Sequence, residues 1–217
     1  RYISVTGVQT CALPISGTLL GGVMGWTMLT AAHAAELPRV MLMTTEGPIV
    51  IALDTQRAPR SAGDFLQYVQ RGLYDQGAGF YRVVRRDNDH GTPPIEVIQG
   101  GLLDENDPRA LPPVAHESTR QTGLRHLDGT VSLARGAPGT GGGAAFFICV
   151  GPQPGLDAGA LRNPDGQGFA ALGQAVFGMD TVRRIHAGET DPAQGEAYVQ
   201  GQMLRQPVRL LWAREVK

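Results

Sequence analysis

The 217-residue sequence contains only two cysteines, Cys11 and Cys149, and has no excess of charge of either sign. Its formal net charge is −1 at neutral pH. A chain without a basic excess has no electrostatic footprint for nucleic acid, and we expect no nucleic-acid partner. If the N-terminal segment that carries Cys11 is removed, the single remaining cysteine excludes an internal disulfide.

The motifs of several common enzyme classes are also missing. There is no Gly-Lys-Ser or Gly-Lys-Thr of a phosphate loop. Residues 139–144 match a dinucleotide fingerprint only formally, because a β-type run follows where that motif must open a helix. His116-Glu117 lacks the second histidine of a zinc helix, and the five histidines are scattered. The sequence therefore predicts no metal and no cofactor.

Glycine and proline, by contrast, are abundant, with 30 and 15 residues. Many turns favour a β-rich fold over a helical bundle. The hydrophobic fraction of 42% fits one globular domain with a full core, with or without a short leader.

Residues 1–34 have the pattern of a secretory signal peptide. Residues 17–32 are mostly apolar but short for a membrane span, and Ala32-His33-Ala34 forms an A-x-A cleavage site. The alternative is a short anchor helix that stays attached. Residues 5–15 resemble the translation of a common sequencing adapter, so Cys11 is not expected to be a native residue. We expect export, with the bacterial periplasm as the location, and no stable membrane insertion once the leader is removed.

The remainder, residues 38–217, reads as one domain of about eight strands and two helices. One predicted helix runs from Ser61, as its N-cap, to Arg71, followed by Gly72 at the C′ position; the other covers residues 179–186. A closed antiparallel barrel with helices covering its two ends would leave no strand edge exposed.

Two short apolar runs, residues 80–84 and 95–101, are bounded by turn signals and predict a β-ribbon. This ribbon carries Arg82 on one strand and Gln99 on the other. Because residues two apart in a strand share a face, we expect Phe80, Arg82 and Val84 to point the same way. An arginine among apolar neighbours is costly to bury, so its expected place is a pocket with an exposed guanidinium.

A third apolar run, residues 144–150, follows a glycine-rich loop and could supply an aromatic wall for the same pocket. Side chains alternate between the two faces of a strand. We therefore assign Phe147 to the pocket and Phe146 to the barrel interior. Cys149, in the same strand, is expected to be inert core.

Residues 80–82, residues 98–101, Ala134 and residues 146–148 stand in the order and approximate spacing of the cyclophilin-type peptidyl-prolyl isomerases. The chain resembles that family from about Val40 to the C-terminus. The resemblance implies an eight-stranded antiparallel barrel capped by helices, a monomer without a cofactor, and peptidyl-prolyl isomerase activity (EC 5.2.1.8). Its partners would be proline-containing unfolded or flexible polypeptides.

The resemblance assigns the catalytic site to Arg82, Gln99 and Phe147. Arg82 would donate a hydrogen bond to the prolyl nitrogen as the X–Pro bond twists. Gln99 would either hold the substrate carbonyl or orient Arg82, and Phe147 would form the floor under the proline ring. The other expected substrate-binding residues are Phe80, Tyr81, Val97, Ala134, Ala145, Leu156 and Phe169.

Several positions depart from the family pattern. Ala145 replaces a glutamine that helps to hold the peptide backbone, and Glu96 replaces a hydrophobic residue. Tyr81 and Phe169 stand at positions where histidine is common. Gly155 falls at the tryptophan of cyclosporin-sensitive members, so the resemblance implies weak cyclosporin binding.

These departures leave two alternatives to an exported isomerase open. One is a catalytically weak chaperone or scaffold module that binds proline-containing peptides in the same groove, favoured by Ala145 and Glu96. The other is a barrel that carries a small apolar ligand inside, although the phenylalanine-rich strands favour a filled interior.

Overall fold

Eight antiparallel strands close into a barrel in the computed structural model, which describes residues 36–104, 106–136 and 138–217. The strands of the chain are β1 (Arg39–Thr44), β2 (Gly47–Leu53), β3 (Ala78–Val84), β4 (Val97–Leu102), β5 (Val114–Ala115), β6 (Thr130–Leu133), β7 (Thr140–Gly141), β8 (Ala145–Cys149), β9 (Ala170–Phe177) and β10 (Met203–Val216). Around the barrel their order is β1-β10-β3-β4-β8-β6-β9-β2, while β5 and β7 form a separate two-stranded sheet. Because β1 pairs with both β2 and β10, the predicted closed barrel is confirmed.

Within the part of the chain that the structure describes, three α-helices accompany the barrel: α1 (Pro59–Gln70), α2 (Thr119–Thr122) and α3 (Met179–His186). The prediction of Ser61 as the N-cap of α1 is wrong, because the helix begins at Pro59, which suits a first-turn position. The Glu117 carboxylate instead accepts hydrogen bonds from the Ser61 amide and hydroxyl, at 2.7 and 2.8 Å. Gly72, with φ of +65°, occupies the predicted C′ position.

The region between β4 and β6 is more ordered than the sequence indicated. Helix α2 is held by a capping box in which Ser118 and Gln121 exchange side-chain and backbone hydrogen bonds. Strands β5 and β7 pair over only two residues each. Elements this short lie below the length at which hydrophobic periodicity carries a signal, so the predicted count of two helices was too low.

Aromatic rings fill part of the barrel core. Phe65 and Tyr68 from α1 pack with Tyr74, Phe80 and Phe146, and all five are fully buried. Phe65 meets Phe146 edge-on at 5.0 Å between ring centroids, a favourable arrangement for two aromatic rings. This packing fixes which face of β8 points inward.

The predictions for residues 1–34 lie outside the described residues. Within the described residues, no helix has the length and apolar character needed to span a membrane.

Candidate active site

Arg82, Gln99 and Phe147 lie side by side on three adjacent strands. Arg82 of β3 pairs with Gln99 of β4, and Gln99 pairs in turn with Phe147 of β8. Directly paired residues of antiparallel strands project to the same side of the sheet. The register therefore places a guanidinium, an amide and an aromatic ring in one row on the outer face of the barrel.

The two neighbouring phenylalanines of β8 face opposite sides, as predicted. Phe146 belongs to the barrel core, whereas Phe147 belongs to a second, smaller cluster outside it. Val84, Val97 and Leu156 are further buried members of this outer cluster. Cys149 is also buried there, and burial raises the pKa of its thiol, in keeping with the predicted inert cysteine.

The prediction that Phe80 contributes to the pocket is wrong. A register shift in the β3–β4 pairing lies between Phe80 and Arg82. This shift turns Phe80 into the barrel, where it is fully buried and meets Phe146 edge-on at 5.7 Å. Arg82 and Val84 remain on the outer face. The period-two argument fails here because a β-bulge inserts an extra residue.

A pocket of about 450 Å³ opens on this face. Phe147, only 5% exposed, belongs to its floor, and Phe169 meets it edge-on at 5.2 Å. Among the predicted site residues, those that line this pocket are Arg82, Val97, Gln99, Ala134, Phe147, Leu156 and Phe169. The apolar floor and the cationic side chain suit a small apolar ring attached to a polar backbone.

Amide oxygens hold the guanidinium of Arg82. The Gln202 side-chain oxygen accepts from Nε at 2.9 Å and from Nη2 at 2.5 Å, and the Gln99 oxygen accepts from Nη1 at 2.9 Å. Gln202 is fully buried, and its own amide nitrogen donates to the Asn88 carbonyl at 2.7 Å. Burial lowers the pKa of Arg82, but an arginine keeps its charge in a protein. The site therefore holds a fixed, partly desolvated cation.

Gln99 is hydrogen-bonded to Arg82 in this structure. Its side-chain oxygen accepts from Arg82, and its nitrogen donates to the Tyr81 hydroxyl at 3.1 Å. Tyr81 and Ala145 line a neighbouring pocket of about 600 Å³, which shares Gln99, Ala134 and Arg135 with the first. The predicted residues are thus divided between two adjoining depressions.

Two ion pairs hold the loops that form the pocket walls. The Asp89 carboxylate accepts hydrogen bonds from both terminal nitrogens of Arg162, at 2.8 and 2.7 Å. The Asp89 side chain is 0% exposed and that of Arg162 is 3% exposed. Although burial alone would raise the pKa of Asp89, the bonds from Arg162 and from the backbone lower it below the ordinary value. Arg135 makes a similar two-pronged contact with Asp165. These two ion pairs hold the loops that form the walls of the pocket in place.

A buried histidine supports the floor from behind. The His126 ring stacks on Phe147 at 6.0 Å between centroids. Its two ring nitrogens lie 2.8 Å from an Asp157 carboxylate oxygen and 3.2 Å from the Ser132 hydroxyl. Despite its serine, histidine and aspartate, this trio is no candidate nucleophile, since Ser132 and His126 are 0% and 1% exposed. It fixes the orientation of the Phe147 ring.

Sequence reasoning missed several residues of the site, among them Arg162, Tyr198 and Gln202. Arg162 and Tyr198 line the pocket, and Gln202 binds Arg82. Arg162 lies 73 positions from its partner Asp89, Gln202 lies 120 positions from Arg82, and Tyr198 lies 36 positions from Arg162. No local pattern could have identified them. Across the described residues, no cluster of histidine, cysteine and acidic side chains could hold a metal ion.

Gly155, the residue at the expected tryptophan position, has no room for a side chain. A Cβ atom added there would lie 2.6 Å from the Pro93 ring. We expect Gly155→Ala to lower the free energy of unfolding by about 1–3 kcal/mol, because overpacking forces a backbone or side-chain shift. Gly136→Ala, where an added Cβ meets nothing within 4 Å, is the matched control. Equal urea midpoints for the two variants would refute this crowding.

A closed eight-stranded barrel with an arginine and an aromatic floor on its outer face defines a protein of the prolyl-peptide isomerase class. The family model "Cyclophilin type peptidyl-prolyl cis-trans isomerase/CLD" matches residues 40–206. The chain belongs to the cyclophilin-type peptidyl-prolyl isomerase family, and its enzyme class is EC 5.2.1.8.

Named relatives agree with this assignment. Peptidyl-prolyl cis-trans isomerase A of Dickeya dadantii (strain 3937) is 34% identical over 171 residues, covering 78% of this chain and 82% of that protein. A peptidyl-prolyl cis-trans isomerase of Acinetobacter baylyi is 31% identical over 169 residues, covering 77% and 79%. A solved Cryptosporidium parvum cyclophilin, crystallised in the presence of the dipeptide Ala-Pro, superposes with a TM-score of 0.62 at 15% identity, covering 82% of this chain and 99% of that one. This last likeness supports the fold.

Proposed function

We propose that the protein accelerates rotation about X–Pro bonds by holding the proline ring on Phe147 and the prolyl nitrogen near Arg82. The observation that carries this proposal is the strand register that sets Arg82, Gln99 and Phe147 in one row above a single pocket. Its substrates are proline-containing segments of unfolded or flexible polypeptides.

The chemistry rests on the electronic structure of the peptide bond. Rotation costs about 18–20 kcal/mol because the C–N bond is partly double. As the bond twists, electron density returns to the prolyl nitrogen, which becomes able to accept a hydrogen bond. Three of the five Arg82 N–H groups are bound by Gln202 and Gln99, and the proposal assigns a remaining one to this nitrogen. A hydrogen bond that forms only in the twisted state is the kind of interaction that accelerates a reaction.

The floor contributes position rather than chemistry. Phe147 is fixed from the side by Phe169 and from behind by His126, so its ring offers a flat apolar surface that does not have to be ordered on binding. With the proline ring held there, rotation is confined to the residue that precedes the proline. No nucleophile, general base or metal takes part in this mechanism.

The test is the exchange rate of a short Xaa-Pro peptide. Two-dimensional exchange NMR measures cis-to-trans interconversion directly, which without a catalyst takes tens of seconds or longer. We expect exchange to accelerate in proportion to the protein concentration. Folded protein that leaves the rate at the value in buffer would contradict the proposal.

Ala145 favours a second candidate, a binding module with little catalysis. At this position the cyclophilin pattern has a glutamine that holds the peptide backbone. In this chain the residue is Ala145, which contributes only a methyl group to the lining of the neighbouring pocket. The same experiment separates the candidates. Peptide resonances that shift on titration without faster exchange would establish the binding module instead.

We further propose that the protein is exported and acts on other exported proteins. Support comes from the apolar run and the Ala32-His33-Ala34 cleavage site in the sequence. Mass spectrometry of the protein from a bacterial periplasmic extract should give a mature chain that begins at Ala35. A full-length chain retained in the membrane fraction would favour an anchor instead.

A further inference from the structure

Tyr198 stands on the rim of the pocket and belongs to no strand of the barrel. It lines the same cavity as Arg82 and Phe147 while remaining 55% exposed. Its segment connects α3 to β10, far in sequence from every residue that the sequence analysis assigned to the site. The placement of this ring beside a catalytic guanidinium is therefore a separate structural feature.

The segment that carries Tyr198 is fastened to the loop after β3. The Asn88 side chain donates to the Gly201 carbonyl at 3.1 Å, and His90 lies 2.9 Å from the Gln200 carbonyl. One turn of the segment requires Gly195, whose φ is +98° and where an added Cβ would meet the Val199 carbonyl at 2.8 Å. The backbone is thus fastened to the loop after β3 just beyond Tyr198, on its C-terminal side.

The hydroxyl of Tyr198 is anchored as well. It accepts a hydrogen bond from Arg162 Nη2 at 3.0 Å. Arg162 is itself fixed by both carboxylate oxygens of Asp89 and by the Pro93 carbonyl. Because both terminal nitrogens of this buried arginine are hydrogen-bonded, its guanidinium is fixed and positions the Tyr198 hydroxyl.

The ring in turn contacts the guanidinium of Arg82. The Arg82 Cζ atom lies 5.9 Å from the centroid of the Tyr198 ring, within the range of a cation–π interaction. The hydrogen-bond partners of Arg82 are the side-chain oxygens of Gln202 and Gln99, which are neutral. The aromatic ring adds an electrostatic attraction to the hydrogen bonds with these two neutral amides. An arginine has many rotamers, and fixing one before substrate binds removes an entropic cost from the reaction.

We propose that Tyr198 is a positioning residue for Arg82. Its ring, held by Arg162, keeps the guanidinium in the orientation that reaches the prolyl nitrogen. This inference rests on the proposed function for its kinetic consequence, but the contact itself exists independently of catalysis. Its effect on catalysis must therefore pass through Arg82.

The first test compares two replacements of Tyr198. Tyr198→Phe keeps the ring and loses the hydroxyl, whereas Tyr198→Leu keeps much of the apolar volume and loses the aromatic face. We expect kcat/KM for an Xaa-Pro peptide to stay within about threefold of wild type for Tyr198→Phe and to fall about threefold to thirtyfold for Tyr198→Leu, mostly in kcat. Equal activity of the two variants would overturn the proposal.

A double-mutant cycle tests whether Tyr198 acts through Arg82. If it does, Tyr198→Leu lowers the rate of the wild-type protein but changes the residual rate of Arg82→Ala by less than about twofold. The same fold-loss in both backgrounds would mean that Tyr198 acts on its own and would overturn the proposal.

The Nε–Hε resonance of Arg82 gives a readout that does not depend on activity. A ring close to the guanidinium shifts this resonance, so Tyr198→Leu should move it, and Tyr198→Phe, which keeps the ring and loses only its hydroxyl anchor, should move it less. A protein that fails to catalyse would refute the proposed function, while this resonance still decides whether the ring holds Arg82. An unmoved resonance in Tyr198→Leu would overturn the positioning role.

Discussion

Replacing Arg82 by alanine is expected to slow catalysed X–Pro exchange at least about tenfold, which corresponds to about 1.4 kcal/mol of lost transition-state stabilisation. The guanidinium is the cation that the strand register places beside Gln99 and Phe147. Binding of the peptide should weaken less than the rate, because the proposed hydrogen bond forms only as the peptide bond twists. Exchange NMR at several peptide concentrations separates the two effects.

Two controls make the Arg82 result interpretable. Arg82→Ala leaves the buried Gln202 oxygen without its donors, a loss of about 1–3 kcal/mol, so rates must be normalised to folded protein. Arg82→Lys keeps the charge but not the planar fork, and should give a rate between those of wild type and alanine. Arg86→Ala alters a cation whose side chain is 81% exposed and should change nothing. An unchanged rate for Arg82→Ala would contradict its assigned role.

Replacing Asp89 by asparagine should produce the largest loss of stability, about 3–5 kcal/mol in the free energy of unfolding. The substitution removes the charge that neutralises Arg162, and the side chains of this pair are 0% and 3% exposed. It also weakens the acceptor for the Gly91 and Ile95 amides, at 3.0 and 2.8 Å. Urea unfolding at neutral pH measures the effect.

The stability that Asp89 contributes should decrease as the pH falls. Since the pKa of Asp89 is lower in the folded protein than in the unfolded chain, its contribution is present above the unfolded value of about 3.9 and is lost as the pH falls through the folded value. The difference between wild type and Asp89→Asn should therefore shrink at pH 3. Glu96→Gln, which alters an ion pair with an 81% exposed arginine, should cost less than about 1 kcal/mol. Equal losses of unfolding free energy in Asp89→Asn and Glu96→Gln at neutral pH would contradict the claim that burial makes the Asp89–Arg162 pair more important for stability.

The sequence was sufficient for the parts of the site that lie on regular strands. Strand alternation alone places Phe147 and Phe146 on opposite faces, and the ribbon prediction puts Arg82 and Gln99 on neighbouring strands, where the structure pairs them directly. The rule that residues two apart in a strand share a face failed for Phe80, because a bulge changes the face to which this side chain points. A bulge is set by pairing between strands, which a single strand's pattern does not record.

The loops around the pocket were beyond the reach of sequence patterns. Arg162, Tyr198 and Gln202 reach the site through long-range contacts with Asp89 and Arg82. Such contacts depend on how three separate loops pack together, and no periodicity or motif spacing encodes that packing.

The most direct measurement is the set of nuclear Overhauser contacts between a bound Ala-Pro-containing peptide and the protein with its Phe147 ring selectively protonated. We predict contacts from the proline ring protons to Phe147, together with a shift of the Arg82 Nε–Hε resonance on binding. A peptide that binds without reaching Phe147, or that reaches it while the Arg82 resonance stays unmoved, would contradict the grip of one prolyl residue between these two side chains.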